Sequence, residues 1–479
     1  MITMNKKTKI ICTMGPNTDD RTLMLKLAQN GMDIARFNFS HGTYAEQKER
    51  MDQLKNVRQQ VKKPIAILLD TKGPEIRTGV LKEKSVTLVE GQTFILTADE
   101  IEGDNERVSI TYPELVKDVV PGNIILIDDG LLGLVVEKIE GNDIVCTVQN
   151  GGTLSNRKGV NVPNVKINLP PITEKDRADI IFGIGQGIDF IAASFVRNAD
   201  AIHEIRSILK DHGADEEIAI IAKIENQEGV DNIDSILEAA DGIMVARGDL
   251  GVEIPEEEVP YIQKMLIQKC NDAFKPVITA TQMLDSMIRN PRATRAEVTD
   301  IANAIYDGTD AIMLSGETAM GKYPVEALTT MVNIAKFTES KMDYDRMLEL
   351  KRGYRSRGIS TAVAYAAVAT ARNLDATALI VSSAIGFSAR MLSKFKPKAN
   401  IIAITPFERT QRRMQIYWGV TSYITPSDAT FDEVFEQGKQ IALEQGISVA
   451  GDAVILASGS PNGLVKGANT NLIKVDRLK

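Results

Sequence analysis

Few cysteines and no long apolar run are present in this sequence. The three cysteines among 479 residues, Cys12, Cys146 and Cys270, are widely spaced and fit neither a disulfide framework nor a metal cluster. No segment approaches the roughly 18 consecutive apolar residues of a membrane span. The apolar run after Lys9 is too short for a secretory leader. We therefore expect a cytoplasmic protein that has no membrane partner.

An excess of positive charge is also missing. The formal net charge is −8, from 56 lysines and arginines against 64 aspartates and glutamates. This balance argues against a general nucleic-acid or membrane-surface role, because such partners are bound through basic faces. No nucleic-acid partner is expected, and any anionic substrate must meet cations that are placed locally.

What the chain does have is length and a repeated strand–helix rhythm. A chain of 479 residues predicts about three domains. Short β-branched runs that end in polar residues alternate with amphipathic stretches, as in βα units around a parallel sheet. Eight runs follow this pattern, near 9–13, 33–39, 64–70, 188–196, 218–225, 241–249, 275–281 and 310–317. The predicted fold class is α/β, with a (β/α)8 TIM barrel.

Two regions depart from this rhythm. After the third run, a long segment alternates in hydrophobicity and carries turn pairs such as Asp129-Gly130, which predicts an inserted small antiparallel β-barrel that serves as a lid. After the eighth run, a charged linker leads to a helix at 360–373 and four further runs, which predict a C-terminal α/β regulatory domain. The predicted boundaries are 1–72 with 169–340 for the barrel, 73–168 for the lid and 341–479 for the C-terminal domain.

Polar residues recur two positions apart where the predicted barrel strands end. Side chains alternate faces along a strand, so residues at i and i+2 point the same way. In a (β/α)8 barrel, these strand ends converge on the face where active sites occur. The sets are Arg36, Asn38 and Ser40; Asp70 and Lys72; Lys223 and Glu225; Arg247 and Asp249; Thr279 and Thr281; Ser315 and Glu317. Polar strand ends can also be simple surface, but six sets together predict a site.

The residue types indicate the chemistry of that site. Glu225 and Asp249 are hard oxygen ligands on neighbouring strands, which suit Mg²⁺ or Mn²⁺ shared with a phosphate-bearing substrate. Lys223, Arg36 and Lys72 bring cations to the same mouth, and phosphoryl transfer needs such charge more than it needs a nucleophile.

The sequence offers no evident general base that could activate a nucleophile for covalent catalysis. Of the three histidines, His203 and His212 fall on one predicted helix and are expected to face solvent, whereas His41 lies at the predicted mouth. No Ser/His/Asp or Cys/His arrangement is evident, so we expect catalysis by positioned charge.

These residues lie in segments that closely resemble the pyruvate kinase family. The segments are IARFNFSHG, LLDTKGPEIRTG, KGVNVP, AKIENQEGV, MVARGDLGVEIP, ATQMLDSM and DAIMLSGETAMGKYP, in that order. The resemblance spans nearly all of the chain. It implies transfer of the phosphoryl group of phosphoenolpyruvate to ADP, the final step of glycolysis, with a divalent metal and potassium.

The resemblance also implies roles for single residues. Lys223 would stabilise the transferring phosphoryl group, Arg36 would contact the phosphate of phosphoenolpyruvate, and Glu225 with Asp249 would hold the metal. Gly248 and Thr281, beside Asp249, would bind the substrate carboxylate. Ser315 and Glu317, with Thr281 and water, would protonate the enolate carbon. The residues that would bind the nucleotide are Asn38, Ser40, His41, Arg77 and Lys158.

A potassium site is predicted beside the substrate phosphate. Asn38, Ser40 and Asp70, with the backbone oxygen of Thr71, form an oxygen-only cluster on the second and third strands, and K⁺ there would offset repulsion between phosphates. In the resembled family, a glutamate at the position of Glu75 goes with a potassium requirement, and a lysine replaces the cation. The alternative is that Glu75 is an exposed hinge residue.

The C-terminal region contains VSSAIGFSAR, a strand followed by a Ser/Gly loop and a helix. Ser382, Ser383 and Ser388 in this loop either hold a phosphate or serve only as a helix cap. In the resembled family such a loop binds an allosteric sugar phosphate. The last loop, SGSPNGLVKGANTN, does not match the one expected for fructose 1,6-bisphosphate, so a sugar phosphate and a nucleotide both stay open as effectors.

Two rival functions remain open at this stage. A barrel lyase that acts on phosphoenolpyruvate or pyruvate would also use carboxylate-held Mg²⁺ and arginines, but would not need a lid that bears Arg77 and Lys158. A sugar-phosphate sensor on a barrel scaffold would not need Lys223, Glu225, Asp249 and Thr281. Family resemblance implies a homotetramer.

Overall fold

A closed barrel of eight parallel strands forms the centre of the computed structural model, which describes residues 6–459 and 470–479. The first three barrel strands are β1 (Lys9–Met14), β2 (Ile34–Asn38) and β3 (Ala66–Asp70). The inserted strands are β4 (Ile76–Arg77), β5 (Ser85–Leu88), β6 (Thr93–Thr97), β7 (Arg107–Ser109), β8 (Ile124–Ile127), β9 (Leu132–Glu140), β10 (Asp143–Asn150), β11 (Gly152–Ser155) and β12 (Gly159–Asn161).

The barrel resumes after this insertion. Its remaining strands are β13 (Phe190–Ala193), β14 (Ala219–Ile224), β15 (Gly242–Ala246), β16 (Val277–Ala280) and β17 (Ala311–Leu314). The barrel order is β1-β17-β16-β15-β14-β13-β3-β2. These strands are apolar along almost their whole length because helices cover the outside and side chains fill the inside. The predicted barrel is thereby confirmed, and each strand lies inside the run that predicted it except β1, which extends one residue further to Met14.

Helices follow the strands around the barrel and through the C-terminal region. The helices are α1 (Arg21–Asn30), α2 (Tyr44–Val61), α3 (Leu115–Asp118), α4 (Glu174–Gln186), α5 (Ala199–Asp211), α6 (Gln227–Asp231), α7 (Ile233–Ala239), α8 (Arg247–Glu253), α9 (Val259–Asp272), α10 (Arg295–Asp307), α11 (Gly316–Ala319), α12 (Pro324–Ser340), α13 (Tyr344–Leu350), α14 (Ile359–Asn373), α15 (Phe387–Lys394), α16 (Glu408–Arg413) and α17 (Phe431–Glu444). Capping side chains start many of them, as where Asp20 accepts the backbone N–H of Thr22 at 2.8 Å.

The insertion between β3 and β13 forms a sheet in the order β4-β12-β8-β9-β10-β6-β7, beside the pair β11-β5. The pairing is antiparallel except for β6 with β7, which run parallel and depart from the predicted antiparallel barrel. Beyond the two edge strands, a bridge between Thr78 and Ile110 joins their continuations, and Thr111 N–H donates to the Arg77 carbonyl at 2.9 Å. These contacts close the sheet into a barrel-like unit.

The C-terminal sheet has the order β20-β19-β18-β21-β22, from strands β18 (Ala378–Ser382), β19 (Asn400–Thr405), β20 (Val420–Ile424), β21 (Ala453–Ser458) and β22 (Leu472–Arg477). Four of these were predicted and run parallel, whereas the antiparallel β22 was not predicted because its residues are mostly polar or half-exposed. The segment predicted as a charged linker also contains α13. The domain boundaries themselves stay a prediction.

Four aspartates close the end of the barrel opposite the mouth. Directly before every second strand around the barrel stands an aspartate: Asp33, Asp189, Asp241 or Asp310. Each accepts a hydrogen bond from a backbone N–H near the start of the neighbouring strand, at 2.8 to 2.9 Å. Each aspartate also pairs with a cation. Asp33 pairs with Lys6 and Asp241 with Arg206, both from the barrel region. Asp189 pairs with Arg412, and Asp310 pairs with Lys394 and Lys396, all three from the C-terminal region. The C-terminal region thus supplies the counter-charge for two of the four.

Within the two described stretches of the chain, no helix has the length and apolarity needed to cross a bilayer.

Candidate active site at the barrel mouth

A buried ionic cluster joins three neighbouring regions of the barrel mouth. Arg36 on β2 pairs with Asp70 at the end of β3, with 2.5 Å between Nε and Oδ2. Lys223 on β14 lies between two carboxylates, with its Nζ 3.2 Å from Asp70 Oδ1 and 2.9 Å from Glu225 Oε1. All four residues are at most 9% exposed. The structure therefore brings together the central cations and carboxylates that the strand-end pattern predicted.

The electrostatics of this cluster keep its amine charged. Burial favours neutral Lys223, but Asp70 and Glu225 outweigh burial and raise the pKa of the ammonium above its usual range. Burial likewise works against the Asp70 carboxylate, yet Arg36 and Lys223 hold its pKa below the ordinary value. A phosphate that enters the mouth thus meets two fixed positive charges in a site of low dielectric constant.

Glu225 ionises less readily than Asp70, because Lys223 is the cation beside it whereas Asp70 has both Lys223 and Arg36. Burial raises the pKa of Glu225 to about 7, Lys223 opposes that rise, and the charge of Asp249 adds to it. Two carboxylates that repel each other in a buried mouth fit a divalent cation, which would remove the repulsion. No cluster of three or more His, Cys, Asp or Glu able to hold a metal occurs in residues 6–459 or 470–479. A metal here would therefore need ligands from water and substrate, as Mg²⁺ and Mn²⁺ sites commonly have.

Two hydroxyl residues of the cluster were not predicted. Ser194, just after β13, accepts a hydrogen bond from Lys223 Nζ at 2.8 Å and donates to the Thr71 carbonyl at 2.7 Å. Thr13 on β1 accepts from Arg36 Nη1 at 3.0 Å. Both stand at strand ends with no charged residue beside them or two positions away, so neither the charges nor the spacing of polar residues marks them in the sequence.

Oxygen atoms gather beside this cluster on β2 and β3. Asn38 and Asp70 are register partners on the two strands, and Ser40 N–H donates to Asn38 Oδ1 at 3.0 Å. Thr71 directly follows Asp70 and keeps its carbonyl toward Ser194. The residues of the predicted potassium set thus lie on adjacent chain segments, whereas His41 is exposed at the rim.

Thr281 and Gly248 approach each other closely at the ends of β16 and β15. A Cβ atom added to Gly248 would lie 2.5 Å from Thr281 Cγ2, so only glycine fits. Thr281 itself has a φ of 75°, which is rare for a β-branched residue. Such strain at a mouth residue is typical of functional loops.

Glu317 lies behind this loop. It is 2% exposed, and its two oxygens accept the backbone N–H groups of Leu284 at 3.0 Å and Ser315 at 2.7 Å. Burial raises its pKa. The structure therefore places Glu317 as a brace between the end of β17 and the segment after Thr281.

A cleft of about 770 Å³ separates the inserted unit from the barrel mouth. Arg77 and Lys158 line it from the insertion, and Asp249 lines it from the barrel. Lys158 Nζ is 2.8 Å from Asp128 Oδ1. Arg77 donates to Glu75 from Nε at 2.6 Å and from Nη2 at 2.9 Å. The two lid cations therefore face the same space as the candidate metal ligand.

Three strand-end residues do not join the site. Lys72 is a third exposed and pairs with Glu75 at 3.0 Å. The Thr279 hydroxyl donates to Thr309 Oγ1 at 3.0 Å inside the barrel, toward the end opposite the mouth. Arg247 turns outward to the helices.

The serines of the C-terminal loop are buried. Ser382, Ser383 and Ser388 are 3 to 4% exposed, and Ser388 Oγ accepts a hydrogen bond from Thr470 Oγ1 at 2.7 Å. The loop and α15 follow β18 as predicted. Most of the last loop, 460–469, lies outside the described residues.

Comparisons with known proteins point to one family. The family model "Pyruvate kinase, barrel domain" matches residues 5–328, and "Pyruvate kinase, alpha/beta domain" matches residues 361–475. A relative from Clostridium acetobutylicum named pyruvate kinase is 50% identical over 471 residues, with 98% of this chain and 99% of the relative covered. One from Geobacillus stearothermophilus is 52% identical over 474 residues, with 98% and 80% covered. The crystal structure of a pyruvate kinase from Cryptosporidium parvum superposes with a TM-score of 0.94 at 40% identity, with 99% of this chain and 96% of that chain covered.

Proposed function

The chain belongs to the pyruvate kinase family, and from this premise we propose that the ionic cluster of the barrel mouth is where its phosphotransfer takes place. The enzyme is a phosphotransferase that passes the phosphoryl group of phosphoenolpyruvate to ADP and leaves pyruvate and ATP. The observation that carries the assignment of the site is the buried ammonium of Lys223, held between Asp70 and Glu225 beside Arg36.

Lys223 and Arg36 bind and stabilise the phosphoryl group. Both cations are fixed by buried carboxylates and hydroxyls before substrate arrives, so little reorganisation is needed as charge moves to the transferring group. Ser194 positions Lys223 through its hydrogen bond, which also ties the lysine to the Thr71 backbone. This preorganisation accounts for transfer without a covalent intermediate on the protein.

Glu225 and Asp249 hold Mg²⁺ or Mn²⁺. When bound, the divalent ion supplies positive charge to substrate oxygens and orients them. Asn38, Ser40, Asp70 and the Thr71 carbonyl would hold K⁺, which would add a monovalent charge near the incoming phosphates. The raised pKa of Glu225 and the close oxygens on β2 and β3 support these two assignments.

Gly248 and Thr281 bind the substrate carboxylate, and Asp249 beside them contributes its backbone N–H. The close approach of Thr281 to Gly248, where α8 begins after β15, supports this assignment. Thr281 and Ser315, with water, protonate the enolate carbon. Glu317, also predicted in this step, contributes by holding the backbone, because two N–H groups already occupy its oxygens.

The nucleotide binds between the lid and the barrel. Arg77 and Lys158 reach its phosphates from the insertion, and Asn38, Ser40 and His41 face it from the barrel. The cleft that Arg77 and Lys158 share with Asp249 supports this arrangement. Closure of the lid would bring these cations to the substrate and exclude water.

Regulation and assembly extend this proposal beyond the barrel. The Ser382, Ser383 and Ser388 loop binds a sugar-phosphate or nucleotide effector, and the enzyme works as a cytoplasmic homotetramer. The support for the loop is its position between β18 and α15, away from the mouth.

Binding of Mn²⁺ tests the metal assignment without relying on turnover. In an electron paramagnetic resonance titration, Glu225→Gln and Asp249→Asn should each weaken Mn²⁺ binding by at least about tenfold, since each removes one of two protein ligands. The exposed Glu258→Gln serves as the matched control and should bind like the wild type. If both site variants bound Mn²⁺ as tightly as the control, the metal would have to lie elsewhere.

A further inference from the structure

The loop after β16 is strained where it meets the mouth. Thr281 has a φ of 75° and Gln282 a φ of 55°, two consecutive left-handed residues that are not glycine. A β-branched residue adopts this conformation only when its surroundings impose it. The close contact with Gly248 depends on this backbone, because it directs the Thr281 side chain across to the end of β15.

Arg247 holds the strained segment from the outside. It is the first residue of α8, next to Gly248, and its side chain turns away from the mouth. Its Nη2 donates to the Thr281 carbonyl at 2.7 Å, and its Nε donates to the Ala280 carbonyl at 3.2 Å. The same Nη2 lies 2.8 Å from Met283 Sδ. One guanidinium thus spans the turn at its start, its middle and its end.

The far side of the guanidinium is anchored to two helices. Arg247 Nη1 pairs with Asp300 of α10 at 2.6 Å and with Gln263 of α9 at 3.3 Å. The arginine side chain is 13% exposed. A planar fork with five donors can bridge carbonyls on one side and a carboxylate on the other, whereas a lysine cannot. Glu317 braces the following residue, Leu284, so the loop is held at both ends.

We propose that Arg247 is a positioning residue for the phosphotransfer reaction: it holds Thr281 in the left-handed conformation that presents its hydroxyl to the substrate carboxylate. The proposal rests on the proposed function of Thr281. Strand-end alternation pointed to Arg247 as a mouth residue. The structure instead has it act through the backbone of a neighbour.

A double-mutant cycle separates this role from a general structural one. Arg247→Met should lower kcat/KM for phosphoenolpyruvate by roughly 10- to 100-fold, in keeping with a misplaced binding group. In the Thr281→Ala background, the same replacement should lower kcat/KM by less than about threefold, because the group that Arg247 positions is already gone. Arg247→Lys should recover little, since it lacks the fork. The exposed Arg289→Met is the matched control and should leave both backgrounds unchanged.

Asp300→Asn provides a milder test that keeps all donors of Arg247. It should lower kcat/KM in the wild-type background and not in the Thr281→Ala background, with the thermal midpoint followed in each case. Equal losses from Arg247→Met or Asp300→Asn in both backgrounds would overturn the positioning role. Two other results would instead contradict the proposed function of the site: a wild type without activity, or a Thr281→Ala variant as active as the wild type. Either result would also rule out the positioning role of Arg247.

Discussion

Lys223 is the residue on which the proposed chemistry depends most. Its ammonium is buried and held between Asp70 and Glu225, so its charge is fixed at the place where we propose that the phosphoryl group is transferred. Lys223→Met should lower kcat by on the order of 10³ and leave phosphoenolpyruvate binding largely intact, because the lost charge acts mainly in the transition state. Steady-state kinetics and substrate titration measure the two effects.

The control for this change is Lys269→Met, which removes a lysine paired with the exposed Asp234 on the barrel's outside. It should turn over like the wild type. A Lys223→Met enzyme that did the same would remove Lys223 from the mechanism.

For single residues, strand alternation predicted the direction of a side chain only up to the point where a helix replaces the strand. Lys223 on β14 and Glu225 just after it meet as the alternation requires. Strand β15 ends at Ala246, so Arg247 begins a helix and points outward although Asp249 faces the cleft. Sequence patterns do not show where a strand gives way to a helix to within a residue. For that reason the side-chain direction of Arg247 could not be predicted.

Among the elements, we expect the segment between β3 and β4 to set a requirement for potassium. Glu75 in this segment pairs with Lys72 at 3.0 Å and with Arg77 at 2.6 Å, a few residues after Asp70 and Thr71 in the chain. We expect wild-type activity in potassium chloride to exceed that in tetramethylammonium chloride at equal ionic strength and saturating Mg²⁺. Glu75→Lys should reduce this dependence, because an ammonium would stand near the K⁺ site and Arg77 would lose its partner.

Glu75→Gln is the matched variant, since it removes the carboxylate without adding a cation and should stay potassium-dependent. Equal wild-type rates in the two salts would contradict the potassium site. A Glu75→Lys enzyme with full potassium dependence would show that this position does not set the requirement.

The aspartates before alternate barrel strands form a structural repeat that was not recognised in the sequence. The segments MDIARF, IDFIAAS, ADGIMVA and TDAIMLS each have an aspartate as their second residue, directly before a strand. The eight strands were predictable because apolar runs are a local signal. The pairing of each aspartate with the N–H of the neighbouring strand depends on the closed barrel, and so became visible only in three dimensions.

At the scale of the whole molecule, the C-terminal region neutralises charges at the base of the barrel. Arg412 Nε lies 2.8 Å from Asp189 Oδ1, and Asp189 is fully buried. Arg412→Met should therefore destabilise the protein by roughly 3 kcal/mol, because a buried carboxylate would lose its ionic partner. Urea unfolding measures the change. Arg413→Met, which removes only a contact of Arg413 with the Glu216 carbonyl, is the control, and equal losses in the two variants would contradict the role of Arg412.

The same interface makes stability depend on pH. Burial lowers the pKa of Lys396 to about 8, with Lys394 acting in the same direction and Asp310 opposing it. An unfolded lysine holds its proton to about pH 10.4. Between about pH 8 and pH 10, the unfolded state therefore binds more protons than the folded state, and the contribution of Lys396 to stability rises with pH.

Lys396→Met should accordingly reduce the gain in thermal midpoint between pH 8 and pH 10, whereas replacement of the exposed Lys398 by methionine should not. Comparison of each variant with the wild type at both pH values cancels the other groups that titrate in this range. An unchanged gain in Lys396→Met would mean that the lysine keeps its proton in the folded protein.

Release of pyruvate from phosphoenolpyruvate, followed through lactate dehydrogenase with and without ADP, tests the central claim most directly. With Mg²⁺ and K⁺ present, the account predicts rapid release that requires ADP, because the lid cations Arg77 and Lys158 bring the acceptor to the phosphoryl group held by Lys223 and Arg36. Release at the same rate without ADP would contradict it and favour a lyase or hydrolase. Release no faster than background would contradict it in favour of a sensor.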